Sequence, residues 1–239
     1  MRSTPELSII IPIYNEAAIV ADSVAGILDR LPPICDSFEI LLAENGSSDR
    51  TPEVVADLCA RHAQVRSLTV PEPNYGRALK EGIFAARGRY VVCDEIDLVD
   101  LDFYRSALGL LRAGHAQMVV GSKLAPGARD DRPWLRHLAT QVLNGMLRHS
   151  LGFRGTDTHG LKAFIREPLL PVVGECVVDR NLFASEFVIR AERAGIKVVE
   201  VPLCVKEKRA PSINLVRRVP TALVNLGRLV WVIRLKGGG

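Results

Sequence analysis

The strongest constraint on how this chain can fold is an alternation, over its first two thirds, of short β-branched runs with longer amphipathic stretches. Residues 7–11 are nearly all Ile and Leu, and suit a strand buried on both faces that ends at Pro12. Residues 15–31 have helical spacing, with Asn15 placed to cap them. A second strand over 38–43 leads into the turn-rich Glu44-Asn45-Gly46-Ser47-Ser48-Asp49, whose Asp49 helps to start the next helix. Thr51-Pro52-Glu53 reads as that start: Thr as N-cap, Pro at the first helical position, an acid in the first turn. Strands are predicted over 66–70, Tyr90–Cys93 and 118–121, with a helix over about 77–87. Further on, Trp134–Leu151 and 182–194 read as helices, and Lys162–Ile165 and 196–201 as strands. The pattern predicts an α/β fold, a mostly parallel sheet flanked by helices, with ligands gathered at the carboxyl ends of the strands.

Composition excludes several classes. At 239 residues, 48% hydrophobic and 24% charged, the chain can bury a sizeable core and is neither disordered nor fibrous. No linker or repeat divides it, so one domain over 1–212 with a C-terminal extension over 213–239 is expected. A net charge of +4 is too mild to argue for nucleic acid. Aromatics are scarce and not interleaved with basic residues, so no base-stacking surface is expected. Cys35, Cys59, Cys93, Cys176 and Cys204 have no zinc-like spacing and read as buried thiols of a reducing compartment. The polar N-terminus lacks the pattern of a signal peptide. Arg228 and Arg234 leave the apolar tail too short to span a bilayer. A cytoplasmic protein, soluble or peripheral on a membrane, is expected.

Four loops at strand ends concentrate polar residues. In Pro12-Ile13-Tyr14-Asn15-Glu16, Tyr14 offers a flat ring and Glu16 an acceptor, although a plain turn with a helix cap uses the same residues. In 44–49, Asn-Gly supports a left-handed turn, and an ordinary loop is the simpler reading. Cys93-Asp94-Glu95-Ile96-Asp97-Leu98 follows a buried strand, and extended backbone puts Glu95 and Asp97 on the same side. Two carboxylates there can share Mg²⁺ or Mn²⁺ that also grips a diphosphate. Asp94, Asp100 and Asp102 thicken the negative charge, which stability alone does not call for. A solvated acidic loop is the competing reading. Lys206-Glu207-Lys208-Arg209 can hold phosphate oxygens if it folds over the strand ends, or is a solvated basic loop.

These pieces occur in a telling order. Ser8-Ile9-Ile10-Ile11-Pro12-Ile13-Tyr14-Asn15-Glu16 is followed by Asn45-Gly46-Ser47-Ser48-Asp49-Arg50-Thr51, Asn74-Tyr75-Gly76-Arg77-Ala78 and Gly88-Arg89-Tyr90-Val91-Val92. Gly121-Ser122-Lys123, Asp157-Thr158-His159-Gly160-Leu161-Lys162-Ala163-Phe164 and Val199-Glu200-Val201-Pro202 complete the series. From about residue 7 to 215 the chain resembles family 2 glycosyltransferases of the GT-A fold, most of all the dolichol-phosphate mannosyltransferase-like branch. The resemblance implies a nucleotide-sugar donor, GDP- or UDP-linked, lying across the strand ends. Pro12, Tyr14 and Glu16 would contact the nucleotide from the first loop, and Ala43 and Asn45 from the second. Glu95, Ile96 and Asp97 fall on the Asp-X-Asp motif, whose acids hold the metal, Mg²⁺ or Mn²⁺, and the diphosphate. Lys123 stands where the family has an arginine; Lys208 and Asn214 fall where it has a basic residue and a lysine over the phosphates. The implied reaction is inverting transfer to a polyprenyl phosphate at the cytoplasmic membrane surface.

The chain departs from that pattern at informative places. Glu44-Asn45 replaces an Asp-Asp pair, so a carboxylate contact to the nucleotide becomes an amide one. Glu95 adds a methylene to the metal motif, and Lys123 gives up the bidentate phosphate contact of arginine. His159 replaces a small residue and, like Asp157, is a candidate base for a hydroxyl acceptor; a structural hydrogen bond is the more common use. An anionic lipid-phosphate acceptor needs no strong base. Two rivals therefore stand beside the lipid-phosphate reading: transfer to a soluble hydroxyl, and a catalytically silent nucleotide-sugar-binding scaffold. A dehydrogenase is disfavoured because no Gly-X-Gly-X-X-Gly follows the first strand. In the tail, Arg217, Thr221, Asn225 and Arg228 share one helical face and Leu, Val and Trp cover the rest. This amphipathic helix either lies on an anionic membrane or docks on the domain or in a homodimer.

Overall fold

The structure is a computed structural model that describes residues 4–130, 134–178, 182–205, 224 and 226–236. Strands β1 (Leu7–Ile13), β2 (Phe38–Glu44), β3 (Val65–Thr69), β4 (Tyr90–Cys93), β5 (Met118–Ser122), β7 (Lys162–Ile165) and β8 (Val198–Pro202) form one sheet. Its order is β3-β2-β1-β4-β7-β5-β8. All neighbours run parallel except β7, which is antiparallel to both β4 and β5. A separate two-stranded ribbon pairs β6 (Arg129–Asp130) with β9 (Cys204–Val205).

Every residue of β1, β2, β4 and β5 is buried, which is why their sequences read as largely apolar runs. The pleat sends Ile9 and Ile11 to one face and Ile10 to the other. On the first face they meet α1 (Val20–Arg30), α2 (Thr51–Arg61) and α4 (Leu101–Arg112). On the second face lie α3 (Tyr75–Ala85), α5 (Trp134–Leu151), α6 (Arg166–Glu175) and α7 (Phe183–Arg193). Each fully buried isoleucine contributes on the order of 1.5–3 kcal/mol, so the sheet centre is the principal source of stability.

Several local expectations change. β1 does not stop at Pro12 but continues to Ile13, in register with β2. The Ile10 carbonyl accepts from Asp94, so Pro12, two residues on, faces the same side beyond the end of β4, where no ladder donor is lost. Asn15 does not cap α1, which starts at Val20; it adopts φ 56° and turns its side chain to the second loop. Thr51 is the first residue of α2 rather than its cap. The sequence reading passed over α4 and α6. Asp100 caps α4, accepting from the Asp102 and Phe103 amides at 3.0 Å, so this acid has a structural task. Pro171 inside α6 masked that helix. Of the cysteines, all free, Cys35, Cys93 and Cys176 are buried, Cys59 is half-buried and Cys204 is exposed, correcting the expectation for those two.

Within the expected C-terminal helix, residues 226–231 are helical and Val232–Lys236 continue as a π turn. Leu226, Leu229, Val232 and Ile233 are buried, and Arg193 donates to the Ile233 carbonyl at 3.2 Å. This segment docks on the domain, with Val224 and Trp231 left exposed. The boundary expected at 212/213 lies outside the described residues. Among those residues, no helix is long and apolar enough to cross a membrane.

Candidate active site

The carboxyl ends of β1, β2, β4 and β5 converge on one rim, and the first two loops there are stitched together. Asn15 Oδ1 accepts from the Ser48 amide at 2.8 Å, and the Asn15 amide donates to Ser47 Oγ at 3.0 Å. The Glu16 amide donates to Thr51 Oγ1 at 2.8 Å, while Asp49 Oδ1 accepts from the Thr51 amide at 2.9 Å. Glu44 turns its carboxylate back to the Ser47 amide at 2.6 Å. The result is a firm shelf from which Tyr14 projects, 45% exposed. Pro12 and Ala43 are buried partners in the β1–β2 register and form the floor of the shelf. Asn45 is buried, and its Oδ1 accepts from the Asn74 amide at 2.6 Å. Asn74 in turn caps α3 by accepting from the Arg77 amide.

The first residue of α3, Tyr75, stands beside the Glu95 carboxylate. The acidic loop behind β4 divides its labour. Asp94 is buried, accepts from the Tyr104 hydroxyl and from the Glu95 amide, and burial pushes its carboxyl up to about 7. Ile96 is buried in the core and Glu95 and Asp97 are exposed, but the backbone here is a turn closed by the Leu98 amide on the Glu95 carbonyl at 3.0 Å, not the extended segment expected. Protein around Glu95 raises its carboxyl above the ordinary range, and the nearby Asp97 charge adds to this; Lys123, Lys162 and Tyr75 pull the other way.

Beneath the acids lies a buried cationic layer. Lys123 Nζ is 2.8 Å from Asp157 Oδ2, with the aspartate side chain wholly buried. Burial alone would raise the Asp157 carboxyl; the Lys123 ammonium and the His159 amide, 2.9 Å from Oδ1, outweigh it and hold the group below its usual value. Lys162, from β7, donates to the Gly160 carbonyl at 2.7 Å, and burial lowers its ammonium to about 8. His159 Nδ1 lies 3.0 Å from Thr158 Oγ1, which is 2.8 Å from Ser185 Oγ. Gly160 packs so closely on β5 that a Cβ would fall 1.5 Å from the Gly121 carbonyl oxygen.

Residues 8–171 match the family described as Glycosyl transferase family 2. The chain belongs to glycosyltransferase family 2. It is 30% identical over 236 residues to the glycosyltransferase AglD of Haloferax volcanii, covering 97% of this chain and 38% of that protein. It is 27% identical over 205 residues to the undecaprenyl-phosphate 4-deoxy-4-formamido-L-arabinose transferase of Edwardsiella ictaluri, covering 82% of this chain and 59% of that protein. The chain thus spans less than two thirds of the length of either relative. Among solved structures it is similar to glucosyl-3-phosphoglycerate synthase from Mycobacterium tuberculosis in complex with Mn²⁺, UDP-glucose and phosphoglyceric acid. That likeness has a TM-score of 0.66 at 23% identity and covers 93% of this chain and 80% of that one; it supports the GT-A fold.

On this family 2 framework the sequence-derived residues fall into two groups. Tyr14, Glu16, Glu95 and Asp97 reach the rim, whereas Pro12, Ala43, Asn45 and Ile96 are buried and shape it from below. Lys123 and Asp157 are paired under the acids, and His159 sits half-buried at the head of the same turn. Lys208 and Asn214 lie outside the described residues. Tyr75 and Lys162 were missed as site residues. Their signal was present: Tyr75 follows a helix cap, and Lys162 is the one charge in the apolar run Leu161-Lys162-Ala163-Phe164-Ile165.

Proposed function

We propose that this family 2 domain is an inverting glycosyltransferase that takes a sugar from a GDP- or UDP-sugar with the help of a divalent cation. The observation that carries the reading is the Glu95/Asp97 pair at the end of β4. Two mutually repelling carboxylates stand on the open rim, with a tyrosine and two buried lysines behind them. Among the described residues, no cluster of three or more His, Cys, Asp or Glu side chains is arranged to hold a metal by itself. Two carboxylates with the remaining positions left to phosphate oxygens and water is the donor set that suits Mg²⁺ or Mn²⁺ held together with a diphosphate. The bound cation would offset the charge of the departing nucleoside diphosphate. The synthase of similar fold was solved with Mn²⁺ and UDP-glucose, which supports the same reading here.

For the acceptor we favour a lipid-linked phosphate. Asp157 is wholly buried and committed to Lys123 and to the His159 amide, so it cannot reach an acceptor hydroxyl as base. In this reading it is a positioning residue. An acceptor that is already anionic needs no proton removed, and a relative uses undecaprenyl phosphate. The test is transfer from radiolabelled UDP- and GDP-sugars to polyprenyl phosphate in detergent, beside soluble hydroxyl acceptors, with Mn²⁺, Mg²⁺ or EDTA. Transfer to the lipid phosphate alone supports the proposal. Transfer to a soluble hydroxyl, lost in His159→Ala, favours the second reading, in which His159 is the base. Nucleotide-sugar binding without transfer to any acceptor would favour the scaffold.

A further inference from the structure

The opposite end of the sheet carries a cavity that this chemistry does not use. Its volume is about 470 Å³, within the range of small-ligand sites. Arg87, Arg89 and Arg166 line it, together with Ser37 and two acids, Glu6 and Glu167. The two acids only partly offset the three arginines, Glu6 feeling the Arg89 charge as well as that of Arg112. Glu6 is held by Arg112 at 2.8 Å, outside the lining. Glu167 is 85% exposed and lies 3.7 Å from Arg166, a loose contact. Arg87 and Arg89 form no ion pair among the described residues.

The arginines are displayed from a rigid turn. The Arg87 amide donates to Glu39 Oε1 at 2.8 Å, and the Gly88 amide to Ser8 Oγ at 2.8 Å. Ser8 and Glu39 are themselves buried and bonded to each other at 2.7 Å. Gly88 presses on β1 so tightly that a Cβ would lie 2.6 Å from the Ser8 nitrogen. Arg89 rests over the Tyr90 ring, its guanidinium carbon 5.2 Å from the centroid. Arg166 opens α6, adding the partial positive charge of a helix N-terminus, and its amide donates to the Arg89 carbonyl at 2.9 Å. Its side chain is four-fifths buried, and its Nη2 donates to the Phe84 carbonyl at 3.2 Å, which fixes this charge at the cavity wall. Three arginines and two acids on one cavity wall leave a net positive charge, and guanidinium groups suit a phosphoryl group.

We propose that this cavity is a second anion site that binds a phosphate monoester or pyrophosphate, separate from the donor site. β4 and β7 run side by side between the two ends of the sheet. Arg89 precedes β4 and Glu95 follows it; Lys162 begins β7 and Arg166 follows it. Four strand residues, roughly 13 Å, thus separate the anion cavity from the acidic rim.

The test is calorimetric titration of the full chain with pyrophosphate in EDTA, and co-sedimentation with vesicles containing phosphatidic acid, which separates a soluble phosphate from a lipid headgroup. Arg87→Gln/Arg89→Gln changes exposed side chains only, and circular dichroism checks its fold. Binding in either arm that weakens about tenfold or more in this variant, and persists in Asp97→Ala, supports the site. Binding equal in the arginine variant and the native chain, binding lost in Asp97→Ala, or no binding in either arm would overturn it. Because none of these readouts involves sugar transfer, failure here is distinct from failure of the glycosyltransferase reading.

Discussion

Lys123 and Asp157 form a buried ion pair, 2.8 Å from Nζ to Oδ2, directly beneath the acidic rim. The pair ties the end of β5 to the turn that carries His159 and Gly160, so it fixes the height of the rim as well as its charge. Removing one partner strands the other charge in the interior. Asp157→Ala should therefore cost about 3–5 kcal/mol in urea unfolding, whereas Lys123→Met/Asp157→Leu should recover much of that loss. The Asp157 carboxyl is held below its ordinary value, so its contribution is present in full above the unfolded pKa of about 4. It is lost as pH falls through the lower folded value. The native chain should lose stability over that acid range, and the double variant should show less of the loss.

Glu95 and Asp97 are expected to act together. A nucleoside diphosphate at a hundredfold excess over its dissociation constant stabilises a protein by about 2.7 kcal/mol. Melting curves of the native chain with Mn²⁺ and UDP or GDP should show that shift, and EDTA should remove most of it. Asp97→Ala and Glu95→Gln should each abolish the metal-dependent part while leaving the unliganded melting temperature nearly unchanged, because both side chains lie on the exposed side of the loop. An undiminished metal-dependent shift in Asp97→Ala would overturn the assignment of the cation to this pair.

The sequence foretold the sheet and its loops better than the tasks of individual polar residues. The strands were readable because β1, β2, β4 and β5 are buried on both faces and leave few polar residues to confuse the pattern, namely Ser8, Glu39 and the strand-end Glu44 and Ser122. The antiparallel direction of β7 was not readable, since four residues of mixed character carry no sign of chain sense. Among the acids, Glu95 and Asp97 reach the rim, although through a turn rather than the extended backbone expected. Asp94 and Asp100 look the same in sequence, yet one is bonded to Tyr104 in the core and the other caps a helix. Such assignments depend on residues far along the chain, as does the use of Asn45 to hold Asn74.

That Asn45 contact gives its own expectation. The half-buried Asn74 amide would lose this hydrogen bond in Asn45→Ala, at about 1 kcal/mol. Asn45→Asp keeps an acceptor oxygen at the same place and should retain most of the stability. Since Asn74 caps the helix whose first residue stands beside Glu95, the alanine variant should also weaken nucleotide binding, measured by calorimetry.

Lys162 should reveal itself through alkaline pH. Burial lowers its ammonium to about 8 in the folded chain, against about 10.4 when unfolded. Between these values the unfolded chain binds more protons, so stability should rise with pH, by up to roughly 3 kcal/mol in total. Below pH 8 the full penalty of the buried charge remains. Lys162→Met should flatten the rise in urea unfolding measured between pH 8 and 10. It should also weaken donor binding at neutral pH, because the Glu95 carboxylate loses a nearby cation.

The tightest backbone approach in the site predicts the most severe single substitution. An alanine at Gly160 would place its Cβ 1.5 Å from the Gly121 carbonyl oxygen and 2.7 Å from its carbon. Both are main-chain atoms of a fully buried strand, so no side-chain rotation relieves the overlap. The turn must move instead, and with it the carbonyl that accepts from Lys162 and the amide of His159 that holds Asp157. Gly160→Ala should cost more than about 4 kcal/mol and yield little folded protein. Gly145, in the exposed face of α5, has no atom within 4 Å of the same added group. Gly145→Ala should raise stability by about 0.5–1 kcal/mol through helix propensity alone. Thermal unfolding of the two variants side by side separates steric exclusion at the site from the general cost of glycine; equal behaviour would show that the Gly160 turn is free to shift.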